Sequence, residues 1–247
     1  MKTTDNTILI TGGGSGIGFE MAKLFSKNNK VIIIGRNAEK LNLAAAKIEN
    51  TTPLVSDINN ENDVTNLVEI LNKDFPDLNI VINNAGLAHY YKLTDANTNA
   101  FQKASEEILT NYLSIVRLTE RLLPLLEKQK ESAFVNVSSI AAFAPGMLLP
   151  SYSVSKAALH SYTQVLRVTL EKSTSIKVFE VMPPLVDTSF SAEIGGSTGI
   201  SPTIVAQNVL EALENNEYEV HVGQTADFYQ LYLSSPEKAV AMMNAAN

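Results

Sequence analysis

The sequence of 247 residues contains no cysteine and only three histidines. Without cysteine, disulfide bonds, thiolate zinc sites, iron–sulfur clusters and cysteine nucleophiles are all excluded. The histidines, His89, His160 and His221, lie far apart in the sequence and lack the spacing of metal ligands. We therefore predict that the protein has no metal site.

Positive charge and long apolar runs are also scarce. The chain has 19 Lys and Arg residues against 26 Asp and Glu residues, and it lacks a basic stripe. Because nucleic-acid binding requires clustered Lys and Arg that neutralise phosphates, we expect no nucleic-acid partner. No stretch reaches the roughly 18 apolar residues of a membrane span, and residues 1–6 are polar, unlike a signal peptide. These absences predict a cytoplasmic protein without a membrane partner.

The apolar residues that are present, 45% of the chain, follow a regular pattern. Short β-branched runs alternate with longer amphipathic segments, without a linker or an internal repeat. The runs are continuously apolar, which is typical of strands buried on both faces of a parallel sheet. The predicted strands are 8–10, 31–34, 54–55, 80–82, 134–137, 178–181 and 220–222. The predicted helices include 17–28, 39–49, 62–75, 99–128 and 152–172.

This alternation predicts an α/β fold: a Rossmann-type doubly wound parallel sheet with helices on both faces. We expect one domain over residues 1–247. Two segments break the alternation: 147–151, which contains Pro150, and 187–202, which is rich in Ser, Thr and Gly. Because loops after the carboxyl ends of strands face the ligand crevice, both segments are candidates to cover a substrate, with 187–202 as the capping loop.

A glycine-rich turn follows the first predicted strand and opens a helix. Glycine lets the backbone approach a ligand closely, and a helix N-terminus attracts a pyrophosphate. This context is the one that a dinucleotide-binding turn requires, whereas a turn that binds nothing is the alternative. The predicted cofactor-binding residues here are Thr11, Gly12, Gly14, Ser15, Gly16, Ile17 and Gly18.

The end of the second predicted strand indicates which dinucleotide is bound. A carboxylate at this point would favour the ribose hydroxyls of NAD(H), but the sequence has Arg36 and Asn37. A guanidinium can bind the 2′-phosphate of NADP(H) with two hydrogen bonds. We therefore predict NADP(H), with NAD(H) less favoured, while a solvated surface arginine is the alternative.

Catalytic chemistry is indicated by Ser138 and Ser139 together with Tyr152 and Lys156. The last two are four residues apart, so they share one face of a helix. A tyrosine can donate the proton that carbonyl reduction needs, and a nearby ammonium lowers a tyrosine pKa by favouring the phenolate. A serine hydroxyl can stabilise charge that develops on the substrate oxygen. Each element alone is commonplace, so the inference depends on the whole set.

Taken in order, these motifs resemble the short-chain dehydrogenase/reductase family over residues 7–188. The resemblance rests on T-G-x-x-x-G-x-G from Thr11 to Gly18, on the Asn-Asn-Ala-Gly segment that ends at Gly86, and on Tyr-x-x-x-Lys. It implies that Ser139, thirteen residues before Tyr152, is the catalytic serine, with Ser138 as a rival. It also implies that Asn111 holds a water that links Lys156 to a proton relay.

The resemblance implies further cofactor contacts. Asp57 and Ile58 would contact the adenine, although Asp57 as a helix cap is the alternative. The remaining implied contacts are Asn84, Ala85, Gly86, Tyr152, Lys156, Pro183, Val186 and Thr188. Pro184 stands where the family usually has glycine. Together with the short C-terminal part, it resembles a bacterial branch that includes the oxidoreductase encoded with teichoic-acid D-alanylation genes.

The predicted function is an NADP(H)-dependent oxidoreductase that acts on a small, moderately apolar carbonyl or alcohol. Its pocket residues would be His89, Tyr90, Tyr91, Phe143 and 147–149. The resemblance also implies a homodimer or homotetramer, paired through helices 99–128 and 152–172. A nucleotide-sugar epimerase or dehydratase and a non-catalytic NADP sensor or scaffold are the alternatives.

Overall fold

Seven parallel strands form one sheet in the computed structural model, which describes residues 1–245. Their order in the sheet is 3-2-1-4-5-6-7. The predicted α/β fold with a doubly wound sheet is therefore confirmed, although the last two residues of the predicted 1–247 domain lie outside the described residues. The strands are β1 (Thr7–Thr11), β2 (Lys30–Gly35), β3 (Thr51–Val55), β4 (Leu78–Asn83), β5 (Ser132–Val137), β6 (Ile176–Met182) and β7 (Glu219–His221).

Helices cover both faces of this sheet. Because side chains alternate along a strand, Ile8 and Ile10 of β1 pack on one face, whereas Leu9 packs on the other. Buried side chains of α1, α2 and α7 belong to the first core, and those of α3, α5 and α6 belong to the second. The helices are α1 (Gly16–Phe25), α2 (Ala38–Ala45), α3 (Glu61–Asp74), α4 (Ala100–Ile108), α5 (Ser114–Leu126), α6 (Pro150–Ser173), α7 (Pro202–Asn215), α8 (Thr225–Ser234) and α9 (Pro236–Met243).

From β1 to β3 the chain adds strands on one side of β1, and from β4 to β7 it adds them on the other side. The strand order therefore reverses between β1 and β4, which are hydrogen-bonded neighbours. In open α/β sheets the ligand crevice lies at such a switch point, outside the carboxyl ends of the strands. Here Thr11, Asn83 and Val137 end three adjacent strands at this edge. The loops that follow them are therefore brought together.

The predicted helix 99–128 is interrupted. A π-helical turn, Leu109–Leu113, separates α4 from α5 and contains Asn111. π-Turns are rare and often mark functional sites. The prediction of one continuous helix was wrong because a π-turn displaces the apolar pattern by only one residue, and this turn contains neither glycine nor proline.

The strand β3 also differs from the prediction of strands buried on both faces. It lies at the edge of the sheet, Val55 is 57% exposed, and Pro53 lies within it. An edge strand tolerates proline because one row of its backbone donors needs no partner in the sheet. The continuous-burial pattern therefore holds for the central strands and fails at this edge.

Both predicted covering segments lie beside the switch point. The helix α6 begins at Pro150, so the irregular stretch before it ends earlier than predicted. The segment 187–202 contains two short 3₁₀ helices, Ser189–Ile194 and Gly196–Thr198, and Ile200 donates a 3.0 Å hydrogen bond to the Leu185 carbonyl at its base. Within residues 1–245, no helix is both long and apolar enough to cross a membrane.

Candidate active site

The glycine turn brings the start of α1 close to the end of β1. Gly12 has a φ of +67°, a conformation that glycine adopts without strain. A Cβ on Gly18 would lie 2.4 Å from the Gly12 carbonyl oxygen, so only glycine allows this approach. Ser15 stands at the N-cap of α1 without a side-chain capping bond, and the first helical turn carries no acidic residue. This helix end is therefore suited to an anion.

Two predicted cofactor residues of this turn lie behind it and do not line the cavity described next. The Thr11 hydroxyl accepts hydrogen bonds of 2.9 Å from both Asn84 N–H and Ala85 N–H, and it is almost fully buried. Gly18 packs under Gly12. Thr11 and Gly18 therefore position the turn, and a direct contact of either residue with the cofactor stays a prediction. Gly13, which the sequence analysis did not select, packs on Ile33 so closely that a Cβ would lie 2.5 Å from its Cγ2.

A cavity of about 920 Å³ runs along the carboxyl ends of the strands, from Arg36 to Tyr152. The small residues Gly12 and Gly86 leave room in it, which fits an extended dinucleotide. Among residues 1–245, no group of three potential ligand side chains is placed to hold a metal ion. The predicted site residues on its wall are Gly12, Gly14, Ser15, Gly16, Ile17, Arg36, Asn37, Asp57, Ile58, Asn84, Ala85, Gly86, Ser139, Tyr152, Lys156, Pro183, Val186 and Thr188.

The Arg36 end of the cavity is polar and exposed. Asn37 caps α2, because its Oδ1 accepts a 2.8 Å hydrogen bond from Lys40 N–H. Asn60, and not Asp57, caps α3 by accepting from Asp63 N–H at 3.1 Å. The alternative of Asp57 as a helix cap is therefore wrong, and its carboxylate accepts a bond from Asn59 N–H within its own turn.

The two serines after β5 have different partners. Ser138 donates a 2.5 Å hydrogen bond to the buried carboxylate of Glu180. Ser139 begins a short 3₁₀ helix, Ile140–Ala142, by accepting from Ala141 N–H at 3.1 Å, and it lines the same cavity as Tyr152. Both serines line the cavity, and the assignment of Ser139 as the catalytic serine stays a prediction.

Tyr152 and Lys156 lie in the first turns of α6 and are buried. The Lys156 ammonium donates a 2.8 Å hydrogen bond to the Val137 carbonyl and lies 5.7 Å from the centre of the Tyr152 ring. Burial lowers the pKa of Lys156 to about 8, while the charge of Glu180 opposes this change.

The pKa of Tyr152 moves in the direction opposite to the prediction. Burial raises the pKa of Tyr152 to about 12, the charge of Glu107 adds to the increase, and the nearby Ser139 hydroxyl acts against it. The expectation that Lys156 lowers this pKa is not met in this structure, because desolvation of the phenolate outweighs every favourable contact. At neutral pH the side chain is therefore the phenol.

Asn111 lies in the π-turn, completely buried and away from the cavity wall. Its amide binds both backbone groups of Leu87: Nδ2 donates to the carbonyl at 2.8 Å, and Oδ1 accepts from the N–H at 2.7 Å. Nδ2 also donates to the Ser155 hydroxyl at 2.8 Å. The side chain therefore holds the segment after β4 against α6, and a role in a proton relay stays a prediction.

Glu107, one helical turn before Asn111, is a buried carboxylate that the sequence analysis missed. It accepts a 2.6 Å hydrogen bond from His89 N–H and another from the Ser151 hydroxyl. Ser151 is also 2.8 Å from the Tyr91 hydroxyl. In an amphipathic helix a glutamate predicts a solvated face, so no local signal identified this one.

The substrate side of the cavity is mostly apolar. Tyr90, Leu148 and Leu149 line it as predicted, together with Phe190 and Met243, which were not predicted. The other predicted pocket residues are placed elsewhere. His89 pairs with Glu106, Tyr91 is buried beside Ser151, Phe143 packs on aromatic rings of α8, and Met147 is half-exposed.

The C-terminal helix reaches this wall through Asn244. Its Nδ2 donates to the Pro145 carbonyl at 3.0 Å, and its Oδ1 accepts from Met147 N–H at 2.6 Å. These bonds hold the loop that follows Ser139 and place Met243 at the cavity. On the opposite side, the Phe190 ring lies 6.2 Å from that of Tyr152.

Known proteins resemble this chain along most of its length. The family model for short chain dehydrogenases matches residues 6–198. The chain is 38% identical over 226 residues to DltE of Bacillus subtilis, named as an uncharacterized oxidoreductase, and the match covers 89% of each protein. This similarity confirms the resemblance to the bacterial branch.

Solved structures show the same fold. A short chain dehydrogenase from Burkholderia cenocepacia, in complex with NADP, is 25% identical with a TM-score of 0.87, and the match covers 98% of this chain and 99% of that one. A relative from Burkholderia phymatum, in complex with NAD, has the same TM-score at 17% identity, with 96% of each chain covered, and shows the fold alone. By sequence and by fold, the chain belongs to the short-chain dehydrogenase/reductase family of oxidoreductases.

Proposed function

We propose that this protein is an NADP(H)-dependent oxidoreductase that interconverts a carbonyl and an alcohol, with Tyr152 as the acid–base residue. One observation carries the proposal. Ser139, Tyr152 and Lys156 meet at one end of a cavity whose other end is formed by the glycine turn and Arg36. A dinucleotide laid along this cavity would place its two ends beside these two groups.

The residues at the Tyr152 end of the cavity suit carbonyl reduction. A bound nicotinamide supplies the hydride. Tyr152, as a phenol with a pKa near 12, donates a proton to the substrate oxygen, and the Ser139 hydroxyl stabilises the charge that develops there. Lys156 uses one of its three N–H donors on Val137, which leaves two for the ribose hydroxyls of the cofactor.

The test of catalysis is NADPH oxidation against a panel of neutral aldehydes, ketones and diketones. We expect Tyr152→Phe to lower kcat by roughly 10²–10⁴-fold, the usual contribution of a general acid. Tyr162→Phe is the matched control, because Tyr162 is on the same helix but packs against Tyr112, outside the cavity. Full activity of the Tyr152 variant would contradict the assigned role.

Two results would favour the alternatives. NADPH binding without turnover on a broad panel would favour a sensor or scaffold. Conversion of a nucleotide sugar without net NADPH oxidation would favour an epimerase or dehydratase.

The preference for NADP(H) rests on Arg36, at the end of β2, where no carboxylate is present. The Burkholderia cenocepacia relative in complex with NADP supports it. We expect NADPH to bind at least about tenfold more tightly than NADH, which corresponds to about 1.4 kcal/mol. Arg36→Gln should remove this difference, whereas Arg121→Gln, an exposed arginine on α5, should retain it. Equal affinities in the wild-type protein would overturn the cofactor assignment.

We propose a small, uncharged, moderately apolar substrate, covered by residues 187–202. The walls supplied by Tyr90, Leu148, Phe190 and Met243 support this class, and Glu193 in the covering segment disfavours an anion. The test compares kcat/KM for an aromatic aldehyde and for its carboxylated analogue. A preference for the carboxylate would contradict the proposed class.

Pairing of two chains through α4, α5 and α6 is also proposed. Phe101 on α4 is 85% exposed, and Val165 on α6 is 62% exposed, so both helices present apolar side chains at the surface. Light scattering should give the mass of a homodimer or homotetramer, and Val165→Lys should reduce it. A monomeric wild-type protein would refute the pairing. The cytoplasmic location stays a prediction.

A further inference from the structure

A second buried carboxylate, Glu180, lies between the two elements that carry the catalytic residues. It is on β6, fully buried. Its carboxylate accepts the 2.5 Å hydrogen bond from Ser138, at the end of β5, and lies 2.9 Å from Nδ1 of His160 on α6. Because an unpaired buried charge is strongly destabilising, a glutamate in the core requires such partners.

Both partners of Glu180 are adjacent to catalytic groups. Ser138 lies between Ser139 and Val137, whose carbonyl accepts the hydrogen bond from Lys156. On α6, His160 follows Lys156 by four residues, so the two side chains share one face of the helix. Through these two contacts, one carboxylate joins the serine-bearing end of β5 to the helix that supplies the lysine.

We propose that Glu180 is a positioning residue for the active site: it fixes the end of β5 relative to α6 through Ser138 and His160, and it holds a negative charge against the face of α6 that carries Lys156. This inference deepens the proposed function and rests on it. It gives Ser138, the rival serine of the sequence analysis, a role of its own. Ser138 anchors the strand end, and Ser139 faces the substrate oxygen.

The charge balance around Lys156 is consistent with this role. Burial lowers the pKa of Lys156, and Glu180 is the group that opposes the change. The groups that face His160 are Glu180 from β6, Glu219 from β7 and Arg167 from α6 itself. The hydrogen bond with Glu180 is the main cause that raises the pKa of His160. On β7, burial is the main cause that lowers the pKa of His221, and the charge of His160 acts in the same direction.

The decisive experiment is a lysine titration that needs no turnover. The side-chain NMR signal of Lys156, labelled at Cε and assigned with Lys156→Arg, is followed against pH in the full-length protein. We expect the midpoint in Glu180→Gln to fall by about one pH unit, because the variant keeps the shape and removes the charge. Glu219→Gln is the matched control, since it removes a nearby charge that pairs with Arg167, and its midpoint should stay unchanged.

A kinetic test accompanies the titration. In Glu180→Gln the alkaline limb of kcat/KM should move to lower pH by the same amount. Ser138→Ala keeps the charge of Glu180 but loses the hydrogen bond that anchors the end of β5, so kcat should fall about tenfold. The KM for NADPH and the titration midpoint of Lys156 should stay unchanged in this variant. Ser138→Thr should restore kcat.

The outcomes separate the two proposals. An unchanged Lys156 midpoint in folded Glu180→Gln would overturn the charge role. If that variant does not fold, full kcat in Ser138→Ala would overturn the positioning role. A wild-type protein that turns over no carbonyl would defeat the proposed function and leave the titration readable.

Discussion

Replacing Lys156 with methionine should stabilise the protein while abolishing its activity. Lys156 is an almost fully buried ammonium whose pKa falls from the ordinary 10.5 to about 8. A pKa difference of this size corresponds to about 3 kcal/mol, since each unit is worth about 1.36 kcal/mol. The wild-type fold therefore carries a penalty of this order for holding the charged form.

The sign follows from proton binding. Between pH 8 and 10.5 the unfolded chain holds the lysine proton and the folded chain has lost it, so the free energy of unfolding rises with pH. The penalty is complete below pH 8 and has disappeared above 10.5. In Lys156→Met it is absent throughout, but the Val137 carbonyl loses its hydrogen bond, which costs about 1 kcal/mol. At pH 7 we expect a net stabilisation of about 2 kcal/mol.

Chemical denaturation of both proteins from pH 7 to 10.5 measures this difference. The gap between the variant and the wild type should shrink by about 3 kcal/mol as the pH rises, because other titrations cancel in the comparison. Lys172→Met, at an exposed lysine on the same helix, should show no such change. A gap that is independent of pH would refute the reasoning.

Three further predictions concern packing. Gly18→Ala should lower the free energy of unfolding by about 1–3 kcal/mol, because the added Cβ would lie 2.4 Å from a backbone oxygen. Gly14→Ala, whose added Cβ would have its nearest neighbour at 3.6 Å, should change this free energy by less than about 1 kcal/mol. Thermal unfolding of the two variants measures the difference. Gly86→Ala should fold normally, since the atom nearest to the added Cβ would be 3.5 Å away. The variant should nevertheless bind NADPH about tenfold more weakly in a fluorescence titration, because its methyl group would occupy the cavity beside Lys156. Asn111→Ala should lower the free energy of unfolding by about 2 kcal/mol or more in denaturant, because it leaves both backbone groups of Leu87 unpaired; wild-type stability in this variant would contradict the clamp.

Most of the fold could be predicted from the sequence because buried parallel strands have a distinctive pattern. Each predicted strand overlaps an observed one, and the glycine turn was placed between β1 and α1. The helices α8 and α9 were not predicted. As a result, the contribution of Met243 to the cavity was missed. Their contacts are made with a loop about a hundred residues earlier in the chain, and no local pattern reports such a distance.

The sequence predicted which main residues come together in the candidate site, but it did not predict the pKa of Tyr152 or the buried carboxylates. Motif order indicated Ser139, Tyr152 and Lys156, which the structure brings together. The direction of the tyrosine pKa was wrong because proximity to a lysine can be inferred from spacing, whereas burial of the phenol cannot. Glu107 and Glu180 were missed for a related reason: a buried carboxylate is recognisable only from partners that are remote in sequence.

The π-turn at Leu109–Leu113 has a consequence for how this region tolerates length changes. A π-turn accommodates one more residue than an α-helical turn, so it has the geometry of a single-residue insertion. Deleting one residue there would restore an uninterrupted helix and rotate everything on one side of the deletion by about 100°. Either Glu107 would turn away from Ser151, or the apolar stripe of α5 would turn away from the sheet. The π-turn therefore rotates α4 relative to α5. This rotation lets Glu107 of α4 face Ser151 while the apolar side chains of α5 pack against the sheet.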